Sequence, residues 1–175
     1  MRRAGRFVIA LAAALVALAT APVAPGSIGG TLPAPGVVWV SDRKKHDRVN
    51  GAVITQHDRT FVPALTVVTA GSEVRFRNDD DVDHSVYSIS PPGPFDLGIY
   101  EAGPGKTVAF PNAGVIDVHC HIHRHMRATL LVVDGPYVRL EAAGAWTIGG
   151  LAPGKYNVHE WTLERGETTR SAEVR

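Results

Sequence analysis

The residues best equipped for chemistry lie together in HCHIHRHM, His119 to Met126. Four of the eight histidines fall between His119 and His125. They surround Cys120, the single cysteine, and precede Met126, the only methionine besides Met1. A thiolate, a thioether and two imidazoles form the soft, trigonal donor set of a blue-copper centre. In VIDVHCHI, strand alternation puts Ile116, Val118, Cys120 and Ile122 on one face and Asp117, His119 and His121 on the other. The apolar face must be the inner one, so Cys120 points into the protein while His119 and His121 point away. His123 and Met126 lie beyond the strand, where the chain turns before re-entering at Ala128, and a short loop can bring both to Cys120. The remote histidine is His84, 36 residues before Cys120 at the start of SVYSI.

A buried cysteine is usually an inert small hydrophobe, but Cys120 is set among four histidines and followed by the internal methionine. His119, His121 and His125 read as an exposed polar strip, with a second surface metal site as the alternative. The run Asp79, Asp80, Asp81 and Asp83 reads as a solvated turn, and His46, His57 and His159 as ordinary surface or hydrogen-bonded histidines. An enzyme using Cys120 as nucleophile is disfavoured, because the thiol faces inward and no Ser/His/Asp or Cys/His catalytic pattern accompanies it. The expectation is a protein that is not an enzyme.

The elements that must position these groups are strands. Short apolar or alternating runs recur along the chain: VVWV (37–40), AVIT (52–55), LTVVT (65–69), EVRFR (73–77), KTVAF (106–110), ATLLVV (128–133), YVRL (137–140), AWTI (145–148) and KYNVHEW (155–161). Turn chemistry separates them, as at Asn78-Asp79, Pro104-Gly105, Asp134-Gly135-Pro136 and Pro153-Gly154, which predicts an all-β sandwich or barrel. Hydrophobic residues at 45% supply a core and exclude a disordered chain. With 18 Lys+Arg against 17 Asp+Glu, no basic stripe is available for nucleic acid. The N-terminus reads as a secretory signal: Arg2, Arg3 and Arg6 precede an uncharged run from Phe7 to Ala21, with cleavage expected after Ala19. Its removal would leave no membrane span and place the protein in the periplasm or outside the cell; a retained N-terminal anchor is the alternative. Residues 20–36, rich in Pro and Gly, read as a disordered linker.

Cys120-x2-His123-x2-Met126, with an upstream His in VRFRNDDDVDHSVYS, resembles the cupredoxins, and its short ligand loop is most similar to that of amicyanin. The resemblance extends to bacterial plastocyanin-like proteins associated with methylamine utilisation. It runs through Gln56 to Pro63 (QHDRTFVP), Asn78-Asp79-Asp80, Val86-Tyr87-Ser88, Phe95 to Gly98 and Cys120 to Met126, and covers roughly residues 37 to 163. Two departures are Ser85, where Asn commonly follows the ligand His, and Arg124, where Pro commonly follows the second ligand His. The resemblance implies a Greek-key sandwich holding one type 1 copper ion on His84, Cys120, His123 and Met126. It also implies single-electron transfer with a redox protein such as a periplasmic cytochrome or dehydrogenase. A copper-handling module without a redox partner is the alternative.

The tail from Pro136 onward resembles the closing strands of carboxypeptidase-regulatory-like (transthyretin-like) β-sandwich modules, and at about 40 residues it is too small to fold alone. The expected organisation is a signal peptide over 1–19, the linker over 20–36, the copper domain over 37–134 and a small β extension over 135–175. That extension either pairs with residues 37–56 or packs as a simple addition on the copper domain.

Overall fold

The computed structural model describes residues 26–42 and 46–175. The expected signal peptide and residues 20–25 of the expected linker lie outside the described residues. Fifteen strands and no helix occupy the described residues. Numbered along the chain, the first eight are β1 (Ile28–Leu32), β2 (Gly36–Ser41), β3 (Ala52–His57), β4 (Thr60–Val62), β5 (Leu65–Thr69), β6 (Ser72–Asn78), β7 (His84–Ser88) and β8 (Phe95–Tyr100). The rest are β9 (Gly103–Phe110), β10 (Gly114–His119), β11 (Arg127–Val133), β12 (Tyr137–Leu140), β13 (Gly144–Ile148), β14 (Gly154–Thr162) and β15 (Gly166–Val174). They form four sheets, ordered β4-β3-β6-β9, β5-β11-β10-β7-β8, β12-β2-β14-β15 and β1-β13.

The side chains show how the sheets stack. Ile54, Phe76 and Phe110 of the first sheet meet Val86, Ile116, Leu130 and Val132 of the second in one core. The opposite face of the second sheet presents Leu131 and Val133, which pack on Val37, Trp39 and Trp161 of the third. The other face of the third sheet, with Val38, Val40 and Val158, closes on Ile28, Leu32, Trp146 and Ile148 of the fourth. The molecule is therefore four layers deep. Runs such as TLLVV and VVWV, apolar at every position, become intelligible in this arrangement. β11 is buried from Ala128 to Val133 and β2 from Gly36 to Val40, because each has a core on both faces.

β2 lies inside the tail sheet, with Gly36–Trp39 paired to β12 and Gly36–Ser41 to β14. The sandwich of the first two sheets is thus an excursion of the chain between β2 and β12. Residues 52–57, by contrast, pair with β4 and β6 in the first sheet. A polar cluster closes the seam where the chain returns. Ser41 Oγ donates to Asp134 Oδ1 at 2.7 Å, and His159 bridges Ser41 Oγ at 2.8 Å and Glu167 Oε1 at 2.8 Å while stacking on Trp39.

The described part of the expected linker is not disordered. Ile28–Leu32 pairs antiparallel with β13 along its whole length. Composition misleads here because two apolar residues suffice: Ile28 and Leu32 are both buried in the outer core. The small residues between them serve a purpose. A Cβ at Gly30 would stand 2.9 Å from the Trp146 ring, so glycine is what allows that indole to lie flat on the strand.

Because β11 and β2 each serve two cores, the layers should unfold together. Trp161→Ala is expected to cost about 3–5 kcal/mol and Leu131→Ala about 2–5 kcal/mol, each leaving a single urea transition seen alike by tryptophan fluorescence and near-ultraviolet circular dichroism. Two separated transitions would show that the tail sandwich folds independently.

Candidate metal centre

β10 ends at His119 and β11 begins at Arg127, so residues 120–126 form the connection between two antiparallel neighbours. The loop is held at its root. The His121 amide donates to Ser85 Oγ at 3.0 Å, the Met126 amide to the His123 carbonyl at 2.9 Å, and the His123 amide points at Cys120 Sγ at 3.5 Å. Alternation runs through Cys120 as its pattern dictates, with Ile116, Val118 and Cys120 buried, Asp117 exposed and His119 half-buried, but it fails at Ile122, which lies beyond the strand and is 44% exposed. β7 lies beside β10, with Tyr87 opposite His119, which brings the first residue of β7, His84, under the loop.

Three donor atoms converge there. Cys120 Sγ lies 3.9 Å from His84 Nδ1 and 4.0 Å from His123 Nδ1, and the two nitrogens are 3.1 Å apart. The point equidistant from all three is about 2.1 Å from each, within the roughly 2.0–2.3 Å spanned by imidazole and thiolate bonds to a small metal ion. The donor set therefore fits a copper ion in both its chemistry and its spacing. His84 is fully buried and Cys120 only 3% exposed. Met126 is 1% exposed and belongs to the same core as Cys120.

The orientation of His84 comes from Asp80. Its Oδ2 accepts the Nε2 proton of His84 at 2.7 Å, which turns Nδ1 towards Cys120. The same carboxylate accepts the amides of Asp58 at 2.6 Å and Arg59 at 2.9 Å, so the β3–β4 turn clamps it. Burial works against the Asp80 charge, but the Arg59 amide, the His84 ring and the Asp58 amide together hold the carboxyl below its usual range. His123 is also shifted down, first by burial and then by the charges of His84, Arg59 and His125, which favours the neutral imidazole a metal needs. Beneath the site, Gln56 Nε2 donates to the Tyr100 hydroxyl at 2.7 Å and that hydroxyl donates to the Phe76 carbonyl at 3.2 Å. Burial pushes the Tyr100 phenol up to about 12.

The Asp79–Asp83 run is thus more than a solvated turn. The Asp80 side chain is only 8% exposed, because a carboxylate with three donors loses little by leaving water. The signal available in the sequence was the spacing: Asp80 precedes His84 by four residues. His57, Asp58 and Asp80 also bring donors within 4.8 Å of one another, but Asp80 is committed to His84 and the two amides. The remaining histidines stand apart from the three converging donors. His121 stacks on Tyr87 at 3.7 Å, His119 lies 5.6 Å from that ring, and His125 Nε2 donates to the Arg59 carbonyl at 3.1 Å. His159 belongs to the distant seam.

No protein-family model and no curated protein matches the chain. Among solved structures, a copper-containing nitrite reductase from Thermus scotoductus aligns at 21% identity over 56% of this chain, with a TM-score of 0.47. The chain spans about a quarter of that enzyme, 26% of its length. Amicyanin from Paracoccus versutus aligns at 19% identity over 55% of this chain and 97% of its own, with a TM-score of 0.44. A purple cupredoxin from Nitrosopumilus maritimus aligns at 22% identity over 47% of this chain and 99% of its own, with a TM-score of 0.40.

Proposed function

We propose that the chain is a type 1 copper protein that passes single electrons between redox partners outside the cytoplasm. The observation that carries this reading is the triangle of His84 Nδ1, Cys120 Sγ and His123 Nδ1, of which His84 and Cys120 are buried. In it, His84 and His123 supply the imidazoles, Cys120 the thiolate and Met126 the weak axial thioether. A copper ion held there supplies a one-electron couple, and the soft donor set suits both of its oxidation states. The chain's own work is to keep the donors still. Asp80 fixes the His84 ring, Ser85 anchors the loop backbone, and the core around Cys120 and Met126 keeps water away.

His123 is the half-buried member of the set and sits on the surface loop, which suits it as the point of electron entry and exit. Export is supported by the basic start and apolar run of residues 1–21. No helix among the described residues is long and apolar enough to cross a membrane. The sequence resemblance points to methylamine utilisation as the process served, with a cytochrome or dehydrogenase as partner.

The direct test is an optical and EPR spectrum of the protein loaded with Cu(II). An intense visible thiolate-to-copper band is expected, abolished in Cys120→Ser and retained with a shifted potential in Met126→Leu. His119→Ala and His121→Ala should leave the spectrum nearly unchanged, because their rings lie outside the donor triangle. A site that binds copper without that band, and surrenders it readily to a chelator, would indicate a copper-handling module instead.

Asp80 gives a second test. Asp80→Ala should weaken copper binding about 10–100-fold, the usual effect of removing the partner that orients a histidine ligand. In the apoprotein, the depressed Asp80 pKa means that its ionised form stabilises the fold above its ordinary value of 3.8 and that this contribution is lost as pH falls below it. The stability gap between the native protein and Asp80→Asn should therefore be widest near neutral pH and narrow steadily in acid, as read by urea denaturation.

A further inference from the structure

We propose that the cleft between the second sheet and the tail sheet binds a free α-amino acid with a large apolar side chain. Its volume is about 550 Å3, the size of an ordinary small-molecule site. It forms because the tail covers only part of the outer face of the second sheet. Leu131 and Val133 on that face pack against the tail, whereas Thr129 and Arg127, further back along the same strand, line the cleft. Register sets its floor: Asp117 stands opposite Thr129 and His119 opposite Arg127, with Leu65 of β5 beside Thr129. Trp161 and Leu163 line it from the tail sheet, and most of the lining surface is apolar.

Two arginines and two acids line this cleft. Arg139 and Glu141 cancel each other, with Nε 2.7 Å from Oε1, and Arg139 also donates to the Leu65 carbonyl at 3.3 Å. Asp117 and Arg127 are different: neither side chain enters an ion pair or a hydrogen bond among the described residues. They are diagonal neighbours on one face, at a spacing of about 7–8 Å. Two interior groups are in the same condition. Trp161 and Thr129, which also line the cleft, are 6% and 9% exposed. Neither the indole N–H nor the hydroxyl has a hydrogen-bond partner among the described residues. These groups select the ligand. A simple carboxylate would meet the Asp117 charge, a simple amine would meet Arg127, and a neutral molecule would cover both charges without pairing either. An α-amino acid carries its carboxylate and ammonium one carbon apart. The Arg127 guanidinium can take the carboxylate in paired hydrogen bonds while Asp117 and the Thr129 hydroxyl accept from the ammonium. The side chain then lies against Leu65, Trp161 and Leu163, the last of which is 81% exposed and would be covered.

The inference stands apart from the electron-carrier reading, and its test needs no copper. L-Phenylalanine is titrated into the full-length apoprotein and followed by calorimetry and by the amide resonances of residues 117–129. Three further probes each lack one part: 3-phenylpropionate the ammonium, phenethylamine the carboxylate and L-alanine the apolar body. L-Phenylalanine should bind at least about tenfold more tightly than any of them, the usual effect of a hydrogen-bonded charge. Arg127→Gln should weaken L-phenylalanine about tenfold and leave phenethylamine no weaker, since that probe has nothing for the guanidinium to hold. Asp117→Asn should weaken L-phenylalanine to a similar extent and leave 3-phenylpropionate no weaker. Leu163→Asp, at an exposed position where folding is not at stake, should weaken L-phenylalanine as well. No saturable binding up to about 10 mM, or variants with native affinity, would overturn the proposal. So would resonance shifts confined to another face. Tighter binding of 3-phenylpropionate or of phenethylamine than of L-phenylalanine would assign the cleft to a simple anion or cation and equally overturn it.

Discussion

Strand β11 can be satisfied only by a core on each of its faces. Leu130 and Val132 project into the sandwich that contains the candidate centre, and Leu131 and Val133 project the opposite way, towards Trp39 and Trp161. Exposing either row would leave two large aliphatic side chains in water, at about 1.5–3 kcal/mol each. The tail is therefore the cover for the outer face of the sheet that carries β7, β10 and β11, and not an accessory to it. β2 has the same constraint one layer further out, which is why a segment as poor in large residues as Ile28–Leu32 is drawn into a strand.

This layered frame gives the donor loop its rigidity. Cys120 and His123 are separated by two residues, and Met126 follows at the same interval, so all three hang between the ends of one antiparallel pair. His84 comes from the adjacent strand. Its ring could rotate about its own bonds, and the Asp80 carboxylate removes that freedom while itself being clamped by the β3–β4 turn. The loop backbone is tied down independently by Ser85. The orientation of the donor set is thus fixed by hydrogen bonds within the protein itself.

The turn that clamps Asp80 also carries Arg59, whose carbonyl accepts a hydrogen bond from the His125 ring. One short hairpin thus reaches the site twice, through its amides to Asp80 and through a carbonyl to the donor loop. Within the donor set burial is graded: His84 and Cys120 are buried, whereas His123 is half-buried on the loop.

Much was legible in the sequence because it was local. Period-two alternation turned Cys120 inward and His119 outward. Short runs between turn residues marked most strands but not β1, β4, β8 or β15, and the uniform apolarity of LLVV and VVWV marked the most buried ones. Spacing alone put Cys120, His123 and Met126 on one loop. What only the tertiary structure decided was non-local. The length of a run does not say what covers its second face, so β1 looked like a linker until Trp146 was seen lying on Gly30. A row of aspartates looked solvated until β7, the β3–β4 turn and His84 closed around Asp80, because whether a carboxylate is exposed depends on donors supplied by distant parts of the chain.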